Sequence, residues 1–309
     1  MAQRESFFSS SAHRTGLLLA FVGVLAFSFT VPLTKIGVGG FDPIFMSTAR
    51  AVLAGTLGII ALSAARVRFP GRKFLVPLLI TVASNVFGWP ILIGLALERT
   101  TSAHVAVIGA FMPLMTALIA VVKMKERVTP QFWIAAALGT TALVTFSLLN
   151  GGAENGDLLA DAYVVAAVIF SSWGYVEGAS LTKAMPGWQV ISWVVVLALP
   201  LTIPITAVLW FVGPSPLLAT PLEWGALIIM AVSSMFLGFF AWYKGLAMVG
   251  IAYGSQVQQL QPLLTLAWSA WLLSENISLS TVLAAVAVIG AVVWAQRSRL
   301  KPTLIAPED

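Results

Sequence analysis

The sequence predicts an all-α polytopic membrane protein whose ten transmembrane helices form two inverted five-helix repeats, with both termini inside the cell. Three observations predict this fold class: the composition, a recurrence of long apolar runs and an internal duplication. Of 309 residues, 59% are hydrophobic and only 9% are charged, and the mean hydropathy is +0.95. Soluble domains have about half apolar and a quarter charged residues. Too few polar residues are therefore present to cover a water-soluble surface.

The apolar runs are long enough to cross a bilayer. A hydrocarbon core of about 30 Å needs roughly 20 residues of helix. The first run is expected to be a retained helix rather than a signal peptide, because no small-residue cleavage site follows it. The ten runs lie near residues 16–38, 42–64, 74–97, 102–122, 130–149, 158–182, 187–212, 222–245, 251–273 and 279–296.

The basic residues predict the orientation, because positive charge is enriched in cytoplasmic connections. With the N-terminus inside, Arg99 is the one basic residue expected on the outer side. The basic residues then expected on the cytoplasmic side are Arg4, Arg14, Arg66, Arg68, Arg72, Lys73, Lys123, Lys125, Arg127, Lys183, Arg297, Arg299 and Lys301. The net charge of +5 comes from short basic clusters that lie between apolar runs. This distribution is typical of membrane topology, so no nucleic-acid partner is expected. We expect a multi-pass protein of the bacterial inner (plasma) membrane.

One motif occurs twice, at a spacing of 149 residues. Pro113, Leu114, Thr116 and Glu126 recur as Pro262, Leu263, Thr265 and Glu275. Five predicted spans separate the copies, so they should be antiparallel, and basic residues flank only the first copy. The expected domains are a cytoplasmic tail (1–15), a first five-helix repeat (16–150), an inverted second repeat (151–297) and a second tail (298–309). Inverted repeats are typical of secondary transporters; the alternative is a duplicated scaffold without a transport role.

At these motifs the chain resembles the EamA-type, ten-helix branch of the drug/metabolite transporter (DMT) superfamily. The other segments that carry the resemblance are "DPIFMSTARAVLAG", with Pro43 and Arg50, and "AWYKGLAMVGIAYGSQVQQLQPLLT". The resemblance implies export of amino acids, drugs or other metabolites. In one departure, the first span reads "LAFSFTVPLTK" where the family often has a Trp-Gly pair, which occurs here as Trp173-Gly174.

Polar and bulky aromatic side chains inside the apolar runs are candidates for substrate binding, because polar groups are costly to bury in a membrane. Amides can hydrogen-bond a small solute, and aromatic rings can stack on a flat or cationic one. The alternatives are hydrogen bonding between helices, interfacial placement and ordinary packing. The candidates are Asn85, Trp89, Phe111, Met115, Trp173, Tyr175, Trp242, Gln258 and Gln259.

Two prolines are predicted hinges. Pro113 and Pro262 lack the N–H that would bond to the carbonyls of Gly109 and Gln258, so each helix should bend there.

Four charges fall within or near the predicted spans. Arg50 could attract a carboxylate or brace the bundle, and Glu177 could couple protons to transport or pair with Lys244. Lys35 and Lys244 lie near helix ends and are expected to extend to water. We expect His104 to be solvated at a helix end.

The function predicted best is a secondary transporter that exports a small metabolite, such as an amino acid, by alternating access. A lipid-carrier flippase or a non-transporting membrane partner subunit is the alternative. An enzyme is not expected, since the sequence has no cysteine, HExxH or P-loop. We expect no cofactor or metal; the partners are a small-molecule substrate and the lipid bilayer, with proton coupling and either a monomer or a homodimer compatible with the sequence.

Overall fold

The computed structural model describes residues 11–124, 129–151, 157–249 and 257–297. Glu126 and the tails at 1–10 and 298–309 lie outside these ranges. The α-helices are α1 (Ser11–Ser28), α2 (Thr30–Gly37), α3 (Pro43–Ala64), α4 (Leu75–Val82), α5 (Trp89–Leu97), α6 (Ser102–Gly109), α7 (Met112–Met124), α8 (Pro130–Gly151), α9 (Leu158–Leu181), α10 (Gly187–Val212), α11 (Pro221–Val232), α12 (Gly238–Val249), α13 (Gln261–Leu273) and α14 (Leu279–Arg297). Within the described ranges no strand occurs.

Within the part of the chain that the structure describes, six stretches are long and apolar enough to cross a membrane: Arg14–Gly37, Pro43–Ala64, Arg72–Leu97, Leu158–Leu181, Gly187–Val212 and Pro221–Leu246. Two shorter apolar helices are Ser102–Thr116 and Leu279–Ala291. The all-helical, multi-pass character predicted from the sequence is therefore confirmed, whereas ten crossings and their orientation stay a prediction.

Helix starts follow local capping chemistry. The Asp42 carboxylate accepts the backbone N–H groups of Ile44 and Phe45, both at 2.9 Å, ahead of α3. Thr220 and Glu223 form a reciprocal capping box before α11. Such caps satisfy N–H groups that have no partner in the first helical turn. They explain why these helices begin where they do.

Pro32 interrupts the first span. α1 ends at Ser28 and α2 begins at Thr30, because a proline at 32 cannot bond to the carbonyl four residues earlier. That carbonyl, of Ser28, accepts a hydrogen bond from Thr265 Oγ1 at 3.0 Å instead. The Ser28 hydroxyl also accepts from Trp268 Nε1 at 2.9 Å. The break in the first span therefore binds the chain to α13.

Irregular turns occur at matching places in the two halves. π-helical turns at Ala83–Gly88 and Ser233–Leu237 interrupt the third and eighth predicted spans. The fourth span is broken between α6 and α7, and a short 3-10 turn at Gln258–Leu260 precedes α13. The helices are thus interrupted beside both predicted hinge prolines, and the hinge role of Pro113 and Pro262 stays a prediction.

Helices of one half pack against helices of the other. The pairs in contact are α1 with α12, α3 with α10, α5 with α9, α6 with α13 and α8 with α14. Exchanging the halves converts the first pair into the third and leaves α3 with α10 and α8 with α14 unchanged. The counterpart of α6 in the second half falls at 251–258, most of which lies outside the described residues.

Candidate functional site

A small cavity lies between the two halves, with a volume of about 50 Å³. Asn85 and Met235 reach it from the two π-helical turns, and Gln261 from the start of α13. The interruptions of the helices therefore supply part of its wall. The lining residues are Phe27, Thr30, Arg50, Asn85, Trp89, Met112, Ser171, Tyr175, Ser234, Met235, Phe239 and Gln261. We call this space the central cavity.

A second cavity of about 30 Å³ adjoins the central one and shares Trp89, Met112 and Gln261 with it. Pro113 and Pro262 line this second cavity, as do Gln258 and Thr265, so both predicted hinges border it. The complete lining is Val31, Trp89, Val105, Ala106, Gly109, Met112, Pro113, Gln258, Gln261, Pro262 and Thr265.

Three polar atoms of the central cavity's lining are buried without a hydrogen-bond partner. They are Arg50 Nε, Asn85 Nδ2 and Gln261 Oε1. Leaving a buried donor or acceptor unsatisfied costs about 1–3 kcal/mol, and more for a charged group. Two donors and one acceptor on residues that line the cavity are therefore without partners.

The space available is too small for a metabolite. A volume of about 50 Å³ holds a few water molecules, whereas binding pockets for organic ligands have volumes of roughly 300–1,000 Å³. A solute can therefore enter only when the surrounding helices separate.

One end of the bundle is closed by a carboxylate, and we call it the Glu275 end. Glu275 accepts the backbone N–H groups of Ser102 and Ala103 at the start of α6, both at 2.8 Å. A negative charge is favourable there, since the first N–H groups of a helix carry partial positive charge. The hydroxyls of Ser102 and Ser269 lie 2.7 Å apart. These contacts join α6 to the end of α13.

His104 is not solvated, contrary to the expectation from the sequence. It is 5% exposed, and its Nε2 lies 2.6 Å from Asp161 Oδ1, itself on a buried side chain of α9. The prediction was wrong because the partner is 57 residues away in sequence, so hydropathy around His104 gave no indication of it.

The opposite end contains an ion pair between Lys123 and Glu177, so we call it the Lys123 end. The Glu177 side chain is buried, whereas that of Lys123 is about two-fifths exposed. Lys244, the alternative partner considered for Glu177 from the sequence, is exposed. Glu177 is thus held by α7 rather than by α12. Lys35, expected to reach water, donates to the carbonyls of Leu97 and Thr100 at 2.6 and 2.9 Å.

An exposed ion pair precedes α9 at the Glu275 end. Arg99 Nη1 lies 2.5 Å from Asp157 Oδ2, and Asp157 Oδ1 accepts the N–H of Leu159 at 2.7 Å. The Leu159 N–H and the Arg99 guanidinium lower the pKa of the Asp157 carboxyl. The same contact raises the pKa of Arg99. In the described part of the chain, no three His, Asp or Glu side chains lie together as metal ligands.

Comparison with known proteins gives the family. The model of the EamA-like transporter family matches residues 14–148 and again 158–296. The chain belongs to the EamA-like transporter family. It is also 38% identical over 290 residues to the uncharacterized transporter YdeK of Bacillus subtilis, covering 91% of this chain and 97% of that protein.

More distant relatives include the S-adenosylmethionine/S-adenosylhomocysteine transporter of Chlamydia trachomatis, 24% identical over 52% of this chain and 50% of that protein. Protein PecM of Dickeya dadantii is 22% identical over 84% of this chain and 87% of that protein. A solved crystal structure matches with a TM-score of 0.64 at 17% identity, covering 91% of this chain and 97% of its own, and shows the same fold.

Membership of this family makes the protein a membrane transporter, and the prediction that it is not an enzyme is confirmed. The resemblance to EamA-type DMT proteins inferred from the motifs is confirmed as well.

The structure brings some of the residues predicted for substrate binding or charge coupling together at the cavities. Asn85, Trp89, Tyr175 and Arg50 line the central cavity, and Gln258 lines the second. Their part in substrate binding stays a prediction.

Other predicted residues lie away from both cavities. Phe111 and Met115 pack in an apolar core with α8 and α9, and Trp242 packs in another with α1 and α10. Trp173 is 45% exposed on the outside of α9, and Gln259 lines neither cavity.

Several lining residues were not predicted as site residues. Thr30, Ser171 and Ser234 gave no clear signal, because small hydroxyl residues in apolar helices also bond to their own backbone, as Ser234 does to the Met230 carbonyl at 3.1 Å. Gln261 could have been identified, since it lies directly before Pro262 in a glutamine-rich segment.

Proposed function

We propose that the protein is a secondary transporter that exports a small metabolite, such as an amino acid, across the bacterial inner membrane by alternating access. The observation that carries the proposal is the central cavity. Arg50 and Asn85 reach it from the first segment matched by the family model, and Tyr175 and Gln261 from the second. A polar site between two related halves is the arrangement in which rocking of one half against the other changes access.

We also propose that the chain forms ten transmembrane helices in two inverted repeats, with N- and C-termini inside. The family model matches the two halves separately. The π-helical turns and four of the five helix pairs recur under exchange of the halves. The distribution of basic residues supports the orientation. In this arrangement, the Glu275 end faces outwards and the Lys123 end faces the cytoplasm.

Each end has a contact that must break before the cavity opens there. Opening outwards separates Glu275 from α6, and opening inwards separates Lys123 from Glu177. Glu177 is the acid we propose for proton coupling. Protonation would remove its negative charge and weaken its pairing with Lys123, which links proton binding to opening of the cytoplasmic end.

Flux in proteoliposomes tests the proposal. Purified protein is reconstituted, and amino acids, S-adenosylmethionine and other metabolites are assayed with and without a pH gradient. Protein-dependent flux of at least one solute is expected. Movement of lipid probes without movement of any solute would support a lipid-carrier flippase instead, and movement of neither would support a non-transporting partner subunit.

A further inference from the structure

Arg50 is a buried cation without an anionic partner. It is 4% exposed, in the third turn of α3, and no ion pair among the described residues includes it. Its Nη1 lies 3.6 Å from the thioether sulfur of Met230, and its Nε bonds to nothing. A thioether is a weak acceptor, and a guanidinium has five N–H donors. Most of the hydrogen-bonding capacity of Arg50 is thus unused.

An uncompensated buried charge is strongly unfavourable, so an arginine in this position needs an anion for at least part of its working cycle. Arg50 lines the central cavity, where Asn85 Nδ2 also lacks an acceptor. Guanidinium and amide donors together suit a carboxylate, since its two oxygens accept about four hydrogen bonds. The unused N–H donors of Arg50 and Asn85 are therefore complementary to a carboxylate.

The charge of the lining limits the anion further. Among the described residues that line the central cavity, Arg50 is the only one with a charged side chain. A carboxylate would balance its single charge, whereas a phosphate monoester, with nearly two negative charges at pH 7, would leave excess charge in a low-dielectric site. The remaining wall includes the rings of Phe27, Trp89, Tyr175 and Phe239, which favour an apolar or aromatic body.

We infer that the transported solute is a small monocarboxylate with an apolar or aromatic body, and that Arg50 binds its carboxylate in the central cavity. The inference rests on the proposed transport function and specifies the substrate class of the same site. The unpaired oxygen of Gln261 provides an acceptor for an N–H or ammonium group on the same solute. Aromatic amino acids therefore fall within this class.

Matched ligands test the inference on the unaltered protein. Thermal stabilisation in detergent and flux in proteoliposomes are measured for phenylalanine and phenylacetate, for the corresponding amides, and for phenyl phosphate. Protein-free liposomes correct for passive leakage. We expect the two carboxylates to stabilise the protein and to move at least roughly tenfold faster than their amides, because a charge-assisted hydrogen bond is lost in the amide. Phenyl phosphate should be inactive.

Equal behaviour of acids and amides would overturn the carboxylate inference while leaving transport intact. Preference for phenyl phosphate would replace the carboxylate by a phosphate. If no solute in this or the broader metabolite panel moved, the proposed function itself would fail and the inference with it.

Substitution of Arg50 supplies a second test. Arg50→Lys keeps the charge but loses the planar donor pair, and Arg50→Gln loses the charge. We expect both to lower carboxylate flux roughly tenfold or more, with Arg50→Gln the more severe. Arg99→Gln is the matched control, because it removes an exposed cation outside the cavity. If Arg50 only braced the bundle, both variants would lose thermal stability, while those that folded would keep the preference for acids over amides.

Discussion

Gly174 has no side chain where Asn85 packs. A Cβ at position 174 would overlap Asn85 Oδ1 and would lie 2.7 Å from the Cβ of Ser84. The π-helical turn that contains Asn85 therefore approaches α9 closely because residue 174 is glycine. In the Trp-Gly pair found in the sequence, the glycine is required by this close contact. Trp173 has no part in it, because its side chain is about half exposed on the outside of α9.

We expect Gly174→Ala to displace Asn85 from the central cavity and to destabilise the protein by about 1–3 kcal/mol, as overpacking does. Flux should fall and the melting temperature should decrease. Gly290→Ala is the control, because a Cβ there meets nothing within 4 Å. Unchanged flux and stability in Gly174→Ala would contradict the close approach.

Asp157 should make stability depend on pH. Its pKa is below the usual 3.8 in the folded protein, so the unfolded chain takes up a proton first as the pH falls. The stabilisation is therefore complete above about pH 4 and is lost as the pH falls through the lowered pKa.

Asp157→Asn keeps an N-cap for α9 but removes the charge that pairs with Arg99. Its melting temperature should be slightly below that of the unaltered protein at pH 7, since exposed ion pairs contribute little. The two melting temperatures should converge in acid. Arg99→Gln should remove part of the difference in melting temperature that Asp157→Asn causes at pH 7, because the Leu159 N–H still favours the charged carboxylate. If the difference between the two melting temperatures grew as the pH fell, the lowered pKa of Asp157 would not be the cause of the pH dependence.

Residue chemistry allowed part of the site to be predicted. Arg50, Asn85 and Gln258 were found because a polar side chain in an apolar run needs an explanation. Phe111, Trp173 and Trp242 were chosen because they are bulky aromatic residues, but they lie in packed cores or on the outside of the bundle. An aromatic ring is equally at home against lipid or against another helix, so its presence does not say which way it points.

At the scale of elements, the N-terminus of α6 is bound by the side-chain carboxylate of Glu275, which is distant in sequence. Ser274, just before it, is left-handed with φ of 54° and ends α13. The chain reverses there, and the Glu275 carboxylate lies against the first N–H groups of α6. The repeated motif predicted that this residue mattered, but not that its partner was a helix end 173 residues away.

Glu275→Gln should weaken this contact by about 1–2 kcal/mol, because an amide lacks the charge that a helix N-terminus favours. We expect a lower melting temperature together with greater access of water-soluble reagents to the Glu275 end. Glu98→Gln makes the same change at an exposed position near that end and should have little effect. Equal effects of the two substitutions would show that only net charge matters.

The sequence predicted where the helices lie better than it predicted the interruptions within them. Apolar runs and prolines indicated where helices lie and where α6 and α7 separate. The π-helical turns were not predicted, because hydropathy averaged over 20 residues does not detect one additional residue in a turn.

At the scale of the whole molecule, alternating access requires the Glu275 end to open and close. The chain contains no cysteine, so any thiol introduced is the only one present. The hydroxyl oxygens of Ser102 and Ser269 lie 2.7 Å apart across that end, close to the length of a disulfide, about 2.05 Å.

The double variant Ser102→Cys/Ser269→Cys should form a disulfide on oxidation and lose transport, and a reducing agent should restore it. The single variants should transport equally well under both conditions. Full transport by the cross-linked protein, with the bond verified by mass spectrometry, would contradict opening at this end.

The two π-helical turns have a consequence for chain length. Each contains one residue more than an α-helical turn would need, and each residue of an α-helix rotates the chain by about 100°. Loss of a single codon from 83–88 would convert the turn to regular α-helix without interrupting the span. Because the wider turn already absorbs the additional residue, Trp89 and the residues beyond it would keep their neighbours, whereas side chains within the turn, Asn85 included, would be displaced. A deletion that hydropathy could not detect would thus remove one polar group from the wall of the central cavity.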